Sequence, residues 1–394
     1  MASTLSSNSA LRLKALLLFA FTAASSVPSP LYAIYRAEWG FSPATLTAVF
    51  AVYVISMLLT LLTLAPLSDH LGRRPVVLGA IVVELASMLL FLGADSVGWL
   101  VAARLVQGAA TGVAFSVLGA GLADLDRQRA PLINTAAPLL GLGAGALISS
   151  VMAAHAPAPT RLVYLLVSVV LAVLGWRARR LPETVVARPG LLGSMRPRLA
   201  VPATSRHNFL RVLPIDVACW ALGGFFLSLG PTLARQVTGW QSPVAGGVMI
   251  AALTCSGAMG SLLLRHRAAQ QLMRIGSTTL TAGVAVVLLS TELSSAFLFF
   301  AGSVVAGLGF GVGFTAAMRT AMARALPAER ASLMAAFLVV SYFAFSLPAL
   351  AAGAAIGHFG LLATSETYGA LVMVLGIVAL AGSVTSPEPS SAAG

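Results

Sequence analysis

The sequence predicts an all-α polytopic membrane protein, with twelve transmembrane helices arranged as two six-helix pseudo-repeats. Three observations lead there. The first is composition: 394 residues, 58% hydrophobic and 9% charged, with a mean hydropathy of +0.93. A soluble domain carries about 25% charged residues, so this chain cannot cover a water-facing surface. The second is a set of apolar segments, each close to the ~20 residues that cross a bilayer. The third is an internal similarity at a shift of about 200 residues.

The twelve segments run over 12–35, 44–67, 75–94, 98–123, 131–155 and 160–177, then 211–234, 243–264, 272–291, 295–323, 331–356 and 366–384. The first resembles a signal peptide, with Arg12 and Lys14 before ALLLFAF, but its apolar run continues through Tyr35 and it has a counterpart in the second half. It therefore reads as a retained span. Nineteen of the 24 basic residues fall at the N-terminus or in loops that follow even-numbered segments. Arg36, Arg161 and Arg235 fall on the opposite side, and Arg104 and Arg319 fall within segments. By the positive-inside rule both termini and the central loop are expected in the cytoplasm. The same distribution sets aside nucleic acid as the reason for a net charge of +12, because the arginines are split among short loops. The expected organisation is residues 1–180 as one bundle, 181–210 as a basic cytoplasmic linker rich in proline, and 211–394 as a second bundle with a short tail. Lys14 is the single lysine of an Ala- and Gly-rich chain. That bias fits a GC-rich bacterial genome and so a bacterial inner membrane.

The two halves align at several places. Ser29-Pro30-Leu31 meets Gly230-Pro231-Thr232, Ser42-Pro43 meets Ser242-Pro243, and Arg73-Arg74 meets Met273-Arg274. Gly108, Gly112, Val113 and Phe115 meet Gly307, Gly311, Val312 and Phe314, and Arg129-Ala130 meets Arg330-Ala331. The shift stays between 199 and 201 throughout. Pro28 and Pro30 are expected to kink the first helix, and Pro231 the seventh, freeing carbonyls toward a cavity.

Between the second and third segments stands Ala65–Val77, APLSDHLGRRPVV. Leu67, Asp69, Gly72, Arg73 and Arg74 match the signature loop of the major facilitator superfamily of transporters, which this chain resembles along its whole length; Ala65 and His70 replace a usual glycine and arginine. The string LVAARLVQG around Arg104 and Gln107 resembles that family's fourth-helix signature. AAPLLGLGAGA, with Pro138, Gly141, Gly143 and Gly145, resembles the Gly-Pro signature of its antiporters, although Ala137 stands where a glycine is expected before the proline. The resemblance implies two bundles rocking about a site near mid-membrane. It implies that Arg104 serves proton coupling or substrate. It also implies that Asp69 meets the start of the eleventh helix near Ser332, while Arg73 or Arg74 pairs with Asp124 or Asp126. Those contacts would close the cytoplasmic side.

Charges inside a bilayer are costly and so ask for a reason. Arg104 lies about 9 Å into the fourth helix, with Gln107 and Thr111 on its face. It carries chemistry, or it ties the helix to a neighbour's carbonyls. Glu84, about 14 Å into the third helix, is a candidate proton carrier or a paired structural acid. Asp216 and Arg319, both read as near the cytoplasmic ends of their helices, could form a gate or separately reach headgroups. Polar stripes select cavity-facing helices: Thr22, Ser26, Ser29 and Tyr32 with adjacent Ser25 on the first, and Tyr53, Ser56, Thr60 and Thr63 on the second. Cys219 and Cys255 have no metal-ligand spacing and read as inert thiols. No metal site, cofactor, nucleotide loop or catalytic triad is expected. The partners expected are a small-molecule substrate, protons and lipid, acting on a monomer. The leading reading is proton-coupled efflux of a drug or metabolite by alternating access. A nutrient symporter and a non-transporting sensor remain as alternatives. The first helix has no acid, which favours neutral or anionic substrates.

Overall fold

A computed structural model describes residues 5–186, 189–197 and 199–384. In the first half, α1 (Ser7–Ser26) and α2 (Pro28–Trp39) form one span broken at Val27. Then come α3 (Pro43–Leu64), the single turn α4 (Leu67–Leu71), α5 (Arg73–Leu92), α6 (Val97–Leu125), α7 (Ala130–His155) and α8 (Pro159–Ala178). A four-residue α9 (Leu191–Ser194) lies in the linker. In the second half, α10 (Ala203–Ser228) and α11 (Gly230–Thr238) form one span broken at Leu229. It continues with α12 (Val244–Leu263), α13 (Ala269–Leu293), α14 (Ala296–Met322), α15 (Arg330–Phe359) and α16 (Leu361–Val384). Twelve spans among the described residues are long and apolar enough to cross a membrane.

The breaks follow from the sequence. Pro28 has no N–H to give the Ala24 carbonyl, so the first span cannot continue as one regular helix. Ser42 caps α3 by accepting from Thr45 N at 3.1 Å, and Pro43 fills the first helical position. Several boundaries differ from the hydropathy reading, the seventh start most of all. The seventh span begins at Ala203 rather than 211, because a helix can extend through polar residues once outside the apolar layer. Lys14 is 1% exposed, with Nζ donating to the Gly121 carbonyl at 2.8 Å. It lies two turns inside α1, which starts at Ser7.

The pseudo-repeat extends to individual contacts. A Cβ at Gly108 would meet the Tyr53 carbonyl, and one at Gly307 would meet the Leu253 carbonyl, 200 residues on. Likewise Gly112 lies against the Met57 carbonyl and Gly311 against that of Gly257. These glycines let α6 approach α3, and α14 approach α12, backbone to backbone. The pairs α1–α7, α5–α6 and α5–α8 recur as α10–α15, α13–α14 and α13–α16. Apolar side chains also point outward: Leu165, Val169, Val173 and Trp176 on α8 are all exposed, as a lipid-facing surface requires.

Two seams join the halves, α3 with α15 and α7 with α12. In the first, Phe50 meets Phe345 with ring centroids 5.2 Å apart, and Gly353 lies against Thr47. In the second, Gly143 lies against Thr254 and Cys255, and Gly247 against Ser150. The Thr47–Gly353 contact, near the start of α3 and the end of α15, and the Ser150–Gly247 contact, near the end of α7 and the start of α12, lie on the side away from the linker. Toward the linker side the halves part and leave a cavity.

The glycine seams give a direct stability test. Gly311→Leu should destabilise the protein by at least ~1–3 kcal/mol through overpacking. Gly79→Ala, where an added Cβ meets nothing within 4 Å, should leave the unfolding midpoint unchanged or raise it slightly, because alanine favours the helix. Thermal unfolding of the purified variants in detergent decides.

Candidate functional site

The cavity between the halves has a volume of about 1440 Å³. Its inner end is aromatic. Trp220 packs on Phe314, Tyr342 and Phe345 at centroid distances of 5.4, 5.2 and 5.3 Å. Phe50, Tyr53 and Phe310 add to this wall. Thr22, Ser25, Ser116, Asn134 and Thr254 bring polar groups, and Pro138 lines it from α7. Arg196, Arg265 and Arg319 stand at the linker-side mouth, and the wall has no carboxylate among the described residues.

Behind this wall, inside the first half, lies the buried cluster around Arg104, which is 1% exposed. Its Nε donates to the Tyr32 hydroxyl at 2.7 Å, and its Nη1 donates to the Ser25 carbonyl and Gln107 Oε1, both at 2.8 Å. The guanidinium also lies 5.2 Å from the Tyr53 ring centroid. Gln107 then links cation to acid: its Nε2 donates to Glu84 Oε1 at 3.1 Å and to the Ala24 carbonyl at 3.2 Å. A flipped amide would set N–H against the guanidinium and oxygen against two acceptors, so the network fixes its orientation. The carbonyls of Ala24 and Ser25 belong to the last turn of α1, where a helix leaves acceptors free.

Of the residues expected on the cavity wall, Tyr53 lies there. Arg104, Gln107, Glu84 and Tyr32 sit one layer behind it, because the freed α1 carbonyls point into the first half rather than into the cavity. Ser56 ties α3 to the Leu105 carbonyl at 2.7 Å. Ser29 is buried with its hydroxyl unpartnered among the described residues. Thr60 and Thr63 bond to their own helix at Ser56 O and Leu59 O. The glycines of α7 are packing surfaces: Gly141 and Gly145 lie against α1 at Phe19 and Ala23, and Gly143 faces α12.

The signature loop forms a compact network. Arg73 Nη1 pairs with Asp69 Oδ1 at 2.7 Å, its Nε bonds Asp124 Oδ2 at 3.0 Å, and Nη1 also donates to the Ser68 hydroxyl. Asp126 turns away and accepts from the backbone N–H groups of Gln128 and Arg129 at 2.9 Å. Asp69 is bound to Arg73 here, whereas Ser332 lines the cavity and donates to the Glu329 carbonyl, so the expected meeting of Asp69 with α15 is not made in this conformation. The residue missed from sequence is Glu183. Its carboxylate accepts from Arg73 N at 2.7 Å and Arg74 N at 3.0 Å, capping α5. Gly72 makes room for it. Its φ is 95°, and an added Cβ would stand 2.8 Å from Glu183 Oε2. As the one acid of the linker, Glu183 was visible in the sequence, but nothing in its spacing pointed to α5.

The proposed gate pair does not form. Asp216 is fully buried beside Ser341, while Arg319 reaches the Arg267 carbonyl at 3.4 Å. The two side chains engage different neighbours: Asp216 meets α15 at Ser341, and Arg319 reaches back to the segment between α12 and α13.

Removing the α5 cap should be measurable. Glu183→Ala should cost roughly 1–2 kcal/mol of stability, the usual scale of a lost cap. Glu183→Gln, which keeps one acceptor, should cost less. Thermal unfolding of both variants tests the order.

Comparison with known proteins agrees with this architecture. A family profile described as Major Facilitator Superfamily matches residues 15–349. A crystal structure of a D323A mutant of the nucleoside transporter NupG superposes with a TM-score of 0.73 at 16% identity, covering 95% of this chain and 99% of that one. At that identity the likeness speaks for the fold. With a profile match spanning most of its length, the chain belongs to the Major Facilitator Superfamily, and it is a multi-pass membrane transporter.

Proposed function

We propose that this transporter is proton-coupled and exports a small organic molecule, a drug or metabolite, by alternating access. The observation that carries the reading is the cavity between two pseudo-equivalent halves, closed at one end by glycine-lined seams and open at the other. A binding site at the repeat interface, reached from one side at a time, is how such halves move a solute. The arginine distribution supports assigning the open, linker side to the cytoplasm of a bacterial inner membrane. A monomer suffices, because one chain encloses the cavity.

The wall supports a substrate class. Aromatic rings at the inner end suit an apolar or planar body. Arginines at the mouth and a wall without carboxylates favour a neutral or anionic solute over a cation. The Arg104–Gln107–Glu84 chain offers a proton site next to Tyr53, which shares its ring between the cluster and the cavity. The Arg73–Asp69–Asp124 network is proposed to rearrange when the linker side closes, with Asp69 then free to meet α15.

A second reading is import by symport. Ala137 in place of a glycine before Pro138 removes one mark of the antiporters, and the structure superposed above is that of a nucleoside transporter. The two directions are separated by compound tolerance in a bacterium lacking its main exporters. Wild-type protein should raise tolerance to a subset of neutral or anionic compounds, an uncoupler should abolish the effect, and Arg104→Ala at matched membrane levels should lose it. If tolerance to every compound is unchanged, export is wrong, and uptake of labelled nutrients then tests import.

A further inference from the structure

The second half also holds a buried carboxyl. Asp216 is fully buried on α10. Its Oδ2 lies 2.9 Å from Ser341 Oγ, and its Oδ1 has no hydrogen-bond partner among the described residues. Ser341 Oγ also lies 3.0 Å from the Phe337 carbonyl. A hydroxyl has one proton to give. If Asp216 is ionised, Ser341 can satisfy the carboxylate or the carbonyl, not both. If Asp216 is protonated, its O–H donates to Ser341 Oγ and Ser341 donates to Phe337, so both short contacts become hydrogen bonds.

The surroundings agree. The groups acting on the carboxyl are the Ser341 hydroxyl and the Trp220 indole, both neutral, with the Cys219 thiol one turn away. The phenols of the packed elements are neutral, and Arg211, Arg274 and Arg319 are engaged elsewhere. Tyr342 of α15 packs at a tilt on Trp220, and the Tyr368 hydroxyl of α16 donates to Ala221 O. Arg211 reaches Gly382 O, Arg319 of α14 reaches Arg267 O, and Arg274 of α13 reaches Ser383 O. Tyr53 of α3 faces Arg104. Glu84 differs, because Gln107 connects it to Arg104. An uncompensated buried carboxylate is far costlier than a buried carboxylic acid.

Asp216 also lies directly behind the cavity wall. Trp220, one turn on, places its ring in the wall, and its Nε1 has no partner in hydrogen-bond geometry. That ring packs on Phe345, which meets Phe50 of the opposite half across the closed seam.

We propose that Asp216 is the proton-binding residue of the second half, protonated in this conformation, and that Trp220 relays its charge state to the Phe345–Phe50 contact between the halves. When water reaches the carboxyl, the O–H proton passes to solvent. The resulting carboxylate takes the Ser341 proton as a hydrogen bond and draws the indole N–H toward Oδ1. This deepens the proton-coupled reading and rests on it for its purpose, but not for its test.

The test uses the full-length protein in lipid nanodiscs, without substrate. Infrared difference spectra between acid and alkaline pH should contain the carbonyl band of a protonated carboxyl. Asp216→Asn should remove it and Glu84→Gln should not, whereas Trp220→Phe and Ser341→Ala should shift its frequency. In spin-labelled protein with Cys219 and Cys255 replaced by serine and labels across the mouth at Thr135→Cys and Ser332→Cys, the pH dependence of the inter-half distance should be reduced in Asp216→Asn. An unchanged band in Asp216→Asn, or an unchanged pH dependence of the distance, overturns the proposal. If Asp216→Asn fails to fold, Trp220→Phe and Ser341→Ala decide: a band displaced by neither refutes it. A band that behaves as expected in a protein giving no tolerance and no uptake would leave the proton site standing and remove the transport reading instead.

Discussion

A guanidinium in the middle of a membrane helix must find its hydrogen-bond acceptors within the protein, because the bilayer supplies none. Arg104 finds them because the first span is broken. Pro28 ends α1 at the depth of Arg104, and the last-turn carbonyls of Ala24 and Ser25 become acceptors for Gln107 and Arg104. Tyr32, on the far side of the break, accepts from Nε, and Nη2 is left buried without a partner among the described residues. Break and cation therefore stabilise each other. Gln107 then extends the arrangement to Glu84, so that α1, α2, α5 and α6 are joined in the interior of the first half.

The second half repeats the backbone but not this chemistry. Its seventh span breaks at the matching place, and its glycines approach the matching carbonyls. Yet among the described residues no arginine fills its core, and the space is taken by Trp220, Phe310, Phe314 and Phe345. One half thus presents a hydroxyl-bearing face backed by a fixed cation, and the other an aromatic face backed by a lone carboxyl. The signature loop is likewise one-sided. Arg73 has Asp69, Asp124 and Ser68, whereas the equivalent Arg274 reaches only as far as the Ser383 carbonyl. The Glu183 cap binds the linker to the first half, leaving the second half free of that tether.

Much of this was legible in the sequence, and what was not has identifiable causes. The twelve spans, the breaks at Pro28 and Pro231 and the pairing of Arg73 with Asp124 follow from apolar length, missing N–H groups and the family's loop. The 200-residue shift even anticipates which carbonyls the glycines approach. Facing was not legible. A Ser or Thr stripe marks a helix face without saying whether that face meets a neighbour or a cavity, so Ser56 and Thr60 were misplaced while Thr22 and Ser25 line the wall. The Asp216–Arg319 pair fails for the same reason, because position along a helix does not say which neighbour a side chain faces. The aromatic cage was missed because its members come from α10, α14 and α15, far apart in sequence and indistinguishable from lipid-facing residues in any one helix.

Alternating access requires the halves to exchange which end of the cavity is open. The most direct measurement uses a cysteine at Met57, on the cavity wall, in protein with Cys219 and Cys255 replaced by serine. Membrane-impermeant thiol reagents are applied to oriented vesicles from each face. The account predicts reaction from both faces. It also predicts that a disulfide between Thr47→Cys and Gly353→Cys, across the closed seam, abolishes reaction from the far face and spares it from the linker face. Reaction from the linker face alone, with or without the cross-link, would contradict alternating access and leave a cavity that binds without transporting.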